Sequence, residues 1–231
     1  MNQNFFASLR TSISHQRLNA YKTLSTDTEI DLLERYFWNI ALCESLYPVL
    51  QNLEITLRNN IYNAATLSFK DPNWFDNVRI LEEQQILSVK AAKIKIQKDR
   101  KSLTVGRIIS ELSFGFWTSL FDKKYDSTFW KRRDLIRAAL PNMPNHMRTR
   151  HILAKRFNEI RRLRNRVFHH EPIWNISNLT QQHENIVEAL DWLNSDVRVT
   201  NQMICDHFSV IHRQGSKPYR EKLLDLVLNL S

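Results

Sequence analysis

The chain predicts an all-α fold, a single multi-helix domain over residues 1–231, and three observations carry that reading. Glycine is limited to 3 residues and proline to 6, too few for the tight turns that a large β protein needs. Apolar residues recur at three- and four-residue steps through most of the chain, the spacing that builds one face of a helix. With 42% hydrophobic and 25% charged residues, the composition is that of an ordered domain long enough to bury a sizeable core.

The elements follow in chain order. The first two dozen residues are mixed and polar, with Leu9, Ile13, Leu18 and Tyr21 as apolar anchors. Thr26 and Glu29 have capping-box spacing and open a long helix through Ile30, Leu33, Phe37, Ile40 and Leu46. Pro48 marks a kink or a break in it, because it has no N–H for the preceding turn. The pattern resumes through Val49, Leu53, Leu57 and Ile61, and the stretch Asp71 to Asn77 is a loop by composition. A charged helix over about 81–101 ends in Lys90, Lys93, Lys95, Lys98, Arg100 and Lys101, either a solvated face or a track for RNA. Thr104 opens a helix through Ile108, Leu112, Phe116 and Leu120. A polar turn over 122–127 leads to a shorter helix over about 129–140, ended by Pro141 to Asn145. The next helix runs over about 146–168. Pro172 disfavours helical backbone at Glu171, so that helix stops by His170. Three amphipathic segments, 179–194, 196–212 and 218–230, complete the chain, which has no repeat, low-complexity tract or domain linker.

The formal net charge is +9 with a pI near 9.7, and a basic surface attracts nucleic acid or anionic lipid. Cys43 and Cys205 stand alone in apolar helical patterns, which favours buried free thiols over a disulfide. The first residues lack the apolar run and cleavage pattern of a secretory signal, and no stretch reaches the roughly 18 apolar residues of a spanning helix. The expectation is a soluble, cytoplasmic protein without a membrane partner.

Chemistry concentrates in one place, Arg161-Arg162-Leu163-Arg164-Asn165-Arg166-Val167-Phe168-His169-His170-Glu171-Pro172. Arginine holds phosphate, asparagine orients it, and histidine moves protons near neutral pH. Leu153, Phe157, Ile160, Leu163 and Val167 form the apolar stripe of this helix, and Arg164 borders the stripe, so its charge is expected to be partly desolvated. Arg148, Arg150, Lys155, Arg156, Arg161, Arg162 and Arg166 cover much of the remaining surface with Glu159 as the lone acid, an unusual imbalance for a merely solvated helix. Arg164 and His169 are five residues apart, roughly 140° around an ideal helix. Either the last turn is distorted ahead of Pro172, or the site joins groups from two chains. The plainer reading is that His169 and His170 only finish a helix, where imidazolium suits the carbonyl end.

Two further sets of residues have double readings. Glu54 and Arg58 have the i,i+4 spacing of a helical ion pair, with Asn59 beside them. They serve either as scaffold or as anchors for Arg164 or His169. Phe114, Phe116, Trp117 and Phe121 are core aromatics at helical spacing or platforms for stacked bases. His146, His151, His169, His170 and His183 lack metal-ligand spacing, so no metal and no cofactor is expected.

Arg164-Asn165-x-x-x-His169 resembles the Arg-x(4–6)-His signature of the HEPN superfamily. The wider text from Arg164 to Ile173 is similar to the C-terminal hallmark of the Abi-like (abortive infection) proteins within it. Three more stretches resemble that family in order: Ser14 to Leu18, Leu53 to Ile61, and Gly106 to Trp117. The likeness covers about 14–173 and leaves the segments over 179–230 unassigned. It implies metal-independent cleavage of an RNA substrate, in which a ribose 2′-hydroxyl attacks the adjacent phosphate. His169 would transfer the proton, with His170 the second candidate. Arg164 would hold the phosphate, and Asn165 would orient Arg164 or the scissile oxygen. Glu54, Arg58, Asn59, Arg161 and Arg166 become candidates for support or RNA contact. The resemblance further implies a homodimer with a composite active site, and a toxin of phage defence restrained by an RNA or protein antitoxin. A non-catalytic RNA-binding module, or a dimerisation module, is the alternative.

Overall fold

The computed structural model describes residues 3–229, and among them there are twelve α-helices joined by short 3₁₀ and π turns and no strand. The centre is α3, Glu29–Phe69, whose 41 residues span roughly 60 Å. A surface helix carries one apolar stripe. Here Leu42, Leu46, Val49, Leu50, Leu53, Leu57, Ile61 and Ala65 form that stripe, and Ala41 and Ser45 outside it are buried too, so more than one side of the helix is covered. The rest of the chain packs around it: α7 (Arg133–Ala139) and α9 (Leu179–Leu193) along its second half, α12 (Lys217–Asn229) along its first.

Pro48 does not break α3. The helix is continuous through it, and packing from several sides outweighs one missing backbone bond. The cap is also displaced from the sequence expectation. Thr28, rather than Thr26, closes the capping box, accepting from the Asp31 N–H while the Asp31 carboxylate accepts from the Thr28 N–H.

Before α3 lie α1 (Gln3–Ile13) and α2 (His15–Asn19). Phe6 and Leu18 join Ile30, Leu33, Leu223 and Val227 in a second, smaller apolar cluster, which brings α1, α2 and α12 together on the first turns of α3. The loop from Tyr21 to Asp27 is pinned by Arg35, which donates to the Tyr21 carbonyl and pairs with Asp27, holding that carboxyl well below its usual range.

After α3 come α4 (Glu83–Lys98), α5 (Val105–Glu111) and α6 (Phe114–Ser119). The expected single helix from Thr104 to Leu120 is two. Thr104 caps α5 as predicted, and the Ser113 hydroxyl caps α6 by accepting from the Phe116 N–H. Phe114, Phe116, Trp117 and Phe121 are buried, with Phe121 stacked on Phe157 at 4.8 Å, so they are core and offer no platform for bases. Helix α8, Arg150–Phe168, starts four residues later than the sequence pattern suggested, capped by the Thr149 hydroxyl. The expected helix over 196–212 is divided into α10 (Ser195–Cys205) and α11 (Phe208–Gln214), because Asp206 turns the chain and accepts from the Phe208 N–H. Cys43 and Cys205 are free thiols, and burial pushes Cys43 up to about 11.

Candidate RNA-cleavage site at the end of α8

Leu153, Phe157, Ile160, Leu163 and Val167 are the buried residues of α8, the stripe read from the sequence. Arg164 at the edge of that stripe is held on two sides. Its Nε and Nη2 both lie 3.3 Å from Glu54 Oε2, and its guanidinium carbon is 4.2 Å from the centre of the Phe168 ring. The two side chains keep only 24% and 21% of their exposure, so their attraction is less screened than at an open surface. Glu54 therefore reaches across to α8 rather than along α3 to Arg58. Arg58 has its Nε buried without a hydrogen-bond partner, and Asn59 is exposed.

Why α3 meets α8 here follows from spacing. Asn39, Tyr47 and Glu54 are separated by eight and seven residues, close to two turns each, so they line one face. Asn39 Oδ1 accepts from the Ile173 and Trp174 N–H groups at 2.7 and 3.2 Å. Tyr47 stacks on Phe168 at 5.2 Å, and Glu54 takes Arg164. The contacts on the motif side run backwards, 173, 168, 164, as antiparallel segments require. One face of α3 thus fixes the motif from its arginine to the loop beyond.

The end of α8 is a Schellman motif. The His170 N–H bonds to the Val167 carbonyl at 3.3 Å and the Glu171 N–H to the Arg166 carbonyl at 2.8 Å, which requires left-handed backbone at His170, with φ of 57°. Glycine usually fills that place, and a side chain there costs about 1 kcal/mol. The same device ends α4 at Arg100. The His169 N–H still bonds to the Asn165 carbonyl at 2.8 Å, so His169 keeps its helical position. The distortion ahead of Pro172 begins one residue too late to swing His169 onto the side of Arg164.

Both histidines are exposed. From the other end of the chain, the Arg17 guanidinium donates to the His170 carbonyl at 3.3 Å, with Ser14 capping the short helix that carries it. Arg17 is a neighbour of the motif that spacing along the sequence cannot reveal, since 153 residues separate the two.

The remaining candidates divide. Arg166 donates to the Pro172 carbonyl and lies 3.7 Å from Glu171, so it braces the loop after the helix. Arg161 bonds to Asn158 Oδ1 and lines a separate groove toward α4 and α6. The charge imbalance along α8 is smaller than its sequence suggests, because other elements supply acids: Asp126 for Arg150, Glu188 for Arg156, Glu54 for Arg164. Lys93, Lys95 and Lys101 of the basic run likewise pair, with Asp76, Glu111 and Asp99. His183 is buried against Phe208 and 3.5 Å from Asp206. Burial lowers its pKa, and Asp206 opposes that shift.

Among the described residues, no three His, Cys, Asp or Glu side chains gather as a metal site, and no helix is long and apolar enough to cross a membrane. Compared with known proteins, the chain matches no family model, no curated protein and no solved structure.

Proposed function

We propose that the end of α8 is the active site of a metal-independent endoribonuclease, of the abortive-infection toxin type, that works as a homodimer. One observation carries the reading: Arg164 is fixed in a part-buried place by Glu54 and Phe168, within two turns of two exposed histidines at the end of the same helix. In this mechanism His169 takes the proton from the ribose 2′-hydroxyl as its oxygen attacks phosphorus. Arg164 stabilises the extra charge of the phosphorane, with Asn165 beside it. The 5′-oxygen leaves with a proton, giving a 2′,3′-cyclic phosphate and a 5′-hydroxyl end. Because Arg164 and His169 diverge around α8, the arginine of one copy and the histidine of a second make the composite site, and the leaving-group proton comes from an imidazole of that second set. His170 is the alternative proton carrier. Its backbone is fixed by the Schellman motif and by Arg17. An RNA or protein antitoxin would restrain such an enzyme by covering this surface.

A second reading, an RNA-binding or dimerisation module without catalysis, draws on the same ion pair. Glu54 already meets the charge of Arg164, which suits a scaffold as well as a phosphate site. Purified protein with mixed RNA in EDTA separates them. Cleavage to cyclic-phosphate ends, lost in His169→Ala and in Arg164→Ala, is the expected result. Binding without cleavage under every condition would replace the enzyme with the binding module.

A further inference from the structure

Between α4, α6 and α8 lies an open polar groove of about 410 Å³, within the roughly 300–1,000 Å³ usual for ligand sites. Its floor is a built feature. Gln85, 5% exposed, donates from Nε2 to Ser119 Oγ at 3.0 Å, and its Oε1 accepts from the Tyr125 hydroxyl at 2.9 Å and from Lys124 Nζ at 3.1 Å. The oxygen of this buried amide accepts twice and its nitrogen donates to Ser119, so it holds Lys124 in place at the groove. Arg161, on the opposite wall, is oriented by Asn158 Oδ1 at 3.2 Å. Both cations are thus held by neutral amide oxygens, whereas most charged neighbours on α8 are met by carboxylates. Asp122 is the one acid in the lining, leaving an excess of positive charge.

The groove is aligned with the motif. Arg161, Asn165 and His169 stand at i, i+4 and i+8, and the bond from the His169 N–H to the Asn165 carbonyl keeps that row helical to its end. From Arg161 to His169 the row rises about 12 Å, the reach of a short single-stranded segment rather than of one nucleotide. The amides of Gln84 and Asn158 and the hydroxyls of Ser88 and Ser113 offer donors and acceptors together, the equipment that reads an unpaired base edge.

We propose that this groove is a specificity pocket for single-stranded RNA. It takes one base through the amides and hydroxyls and its phosphate through Lys124 and Arg161, a few nucleotides from the phosphate held at Arg164. The inference rests on the reading of the α8 motif as an RNA site, and it adds where sequence preference would arise.

Fluorescence anisotropy of a labelled single-stranded RNA octamer on the full-length protein tests it. A Lys124→Gln/Arg161→Gln double variant is expected to bind about 10- to 100-fold more weakly, with a salt slope shallower by about 0.7 for the one lost phosphate contact. A dinucleotide, too short to span motif and groove, should bind wild type and double variant alike. Gln84→Ala, which removes a lining amide that holds neither cation, should change the preference among homopolymer octamers. Octamer affinity that falls in Arg164→Ala but is unchanged in the double variant, with the homopolymer preference unchanged in Gln84→Ala, overturns the groove and leaves the motif standing. A wild-type protein that binds no octamer overturns both.

Discussion

Replacing Glu54 by glutamine keeps the side chain's size and removes the charge that faces Arg164. Two unit charges about 4 Å apart attract by about 4 kcal/mol at an effective dielectric of about 20, and the loss of hydration of both groups offsets most of that. Exposed pairs are worth about 0–1 kcal/mol, and breaking a fully buried pair costs about 3–5 kcal/mol. With side-chain exposures of 24% and 21%, the Arg164–Glu54 pair falls between these limits. The expected loss for Glu54→Gln is about 1–2 kcal/mol, a drop of roughly 0.5 M in the urea midpoint for a chain of this size. A double-mutant cycle with Arg164→Gln isolates the pair and should return a coupling of about 1 kcal/mol. If RNA cleavage depends on a fixed Arg164, Glu54→Gln also lowers turnover more than it lowers RNA affinity. Coupling below about 0.3 kcal/mol, with turnover unchanged, would refute the idea that Glu54 places the arginine.

Three further outcomes follow from the same contacts. Asn39→Ala removes the one acceptor shared by the Ile173 and Trp174 N–H groups, and with Ile173 fully buried the cost should be about 2–3 kcal/mol by urea denaturation, with faster amide exchange at His169. His170→Gly relieves left-handed backbone and should raise stability by about 0.5–1 kcal/mol; the same variant retains cleavage if His169 carries the proton and loses it if His170 does. His183 is held neutral by burial, so below about 6.5 the unfolded chain takes up a proton that the folded chain refuses. Stability should therefore fall as the pH drops from 7 toward 5, and His183→Phe should flatten that slope in denaturation curves collected across the range.

What could be read from the sequence was what repeats locally. The five-residue stripe of α8, the stop before Pro172 and the cap at Thr104 depend on neighbours within a turn or two, and each is where the sequence places it. The cap of α3 shows the limit. Thr26 and Thr28 both stand three residues before an acid, and only the folded backbone selects Thr28 with Asp31. The left-handed caps at Lys70, Arg100 and His170 carry no glycine and so give no signal in composition. For Glu54 the sequence offers two partners, Arg58 at four residues and Arg164 at 110, and packing of α3 against α8 decides for the distant one. The aromatic cluster from Phe114 to Phe121 has the same period whether it faces a core or a ligand. Here it faces the core.

The central claim, that Arg164 of one copy and His169 of another form a metal-independent RNase site, is tested most directly by mixing inactive subunits. Arg164→Ala and His169→Ala proteins, each alone, should leave RNA intact in EDTA. Unfolded and refolded together at equal amounts, half of the dimers are mixed, and each carries one site with both native groups. The account predicts recovery of about a quarter of wild-type cleavage in the mixture, with cyclic-phosphate ends. A mixture as inactive as its components, from subunits shown to exchange, would contradict it.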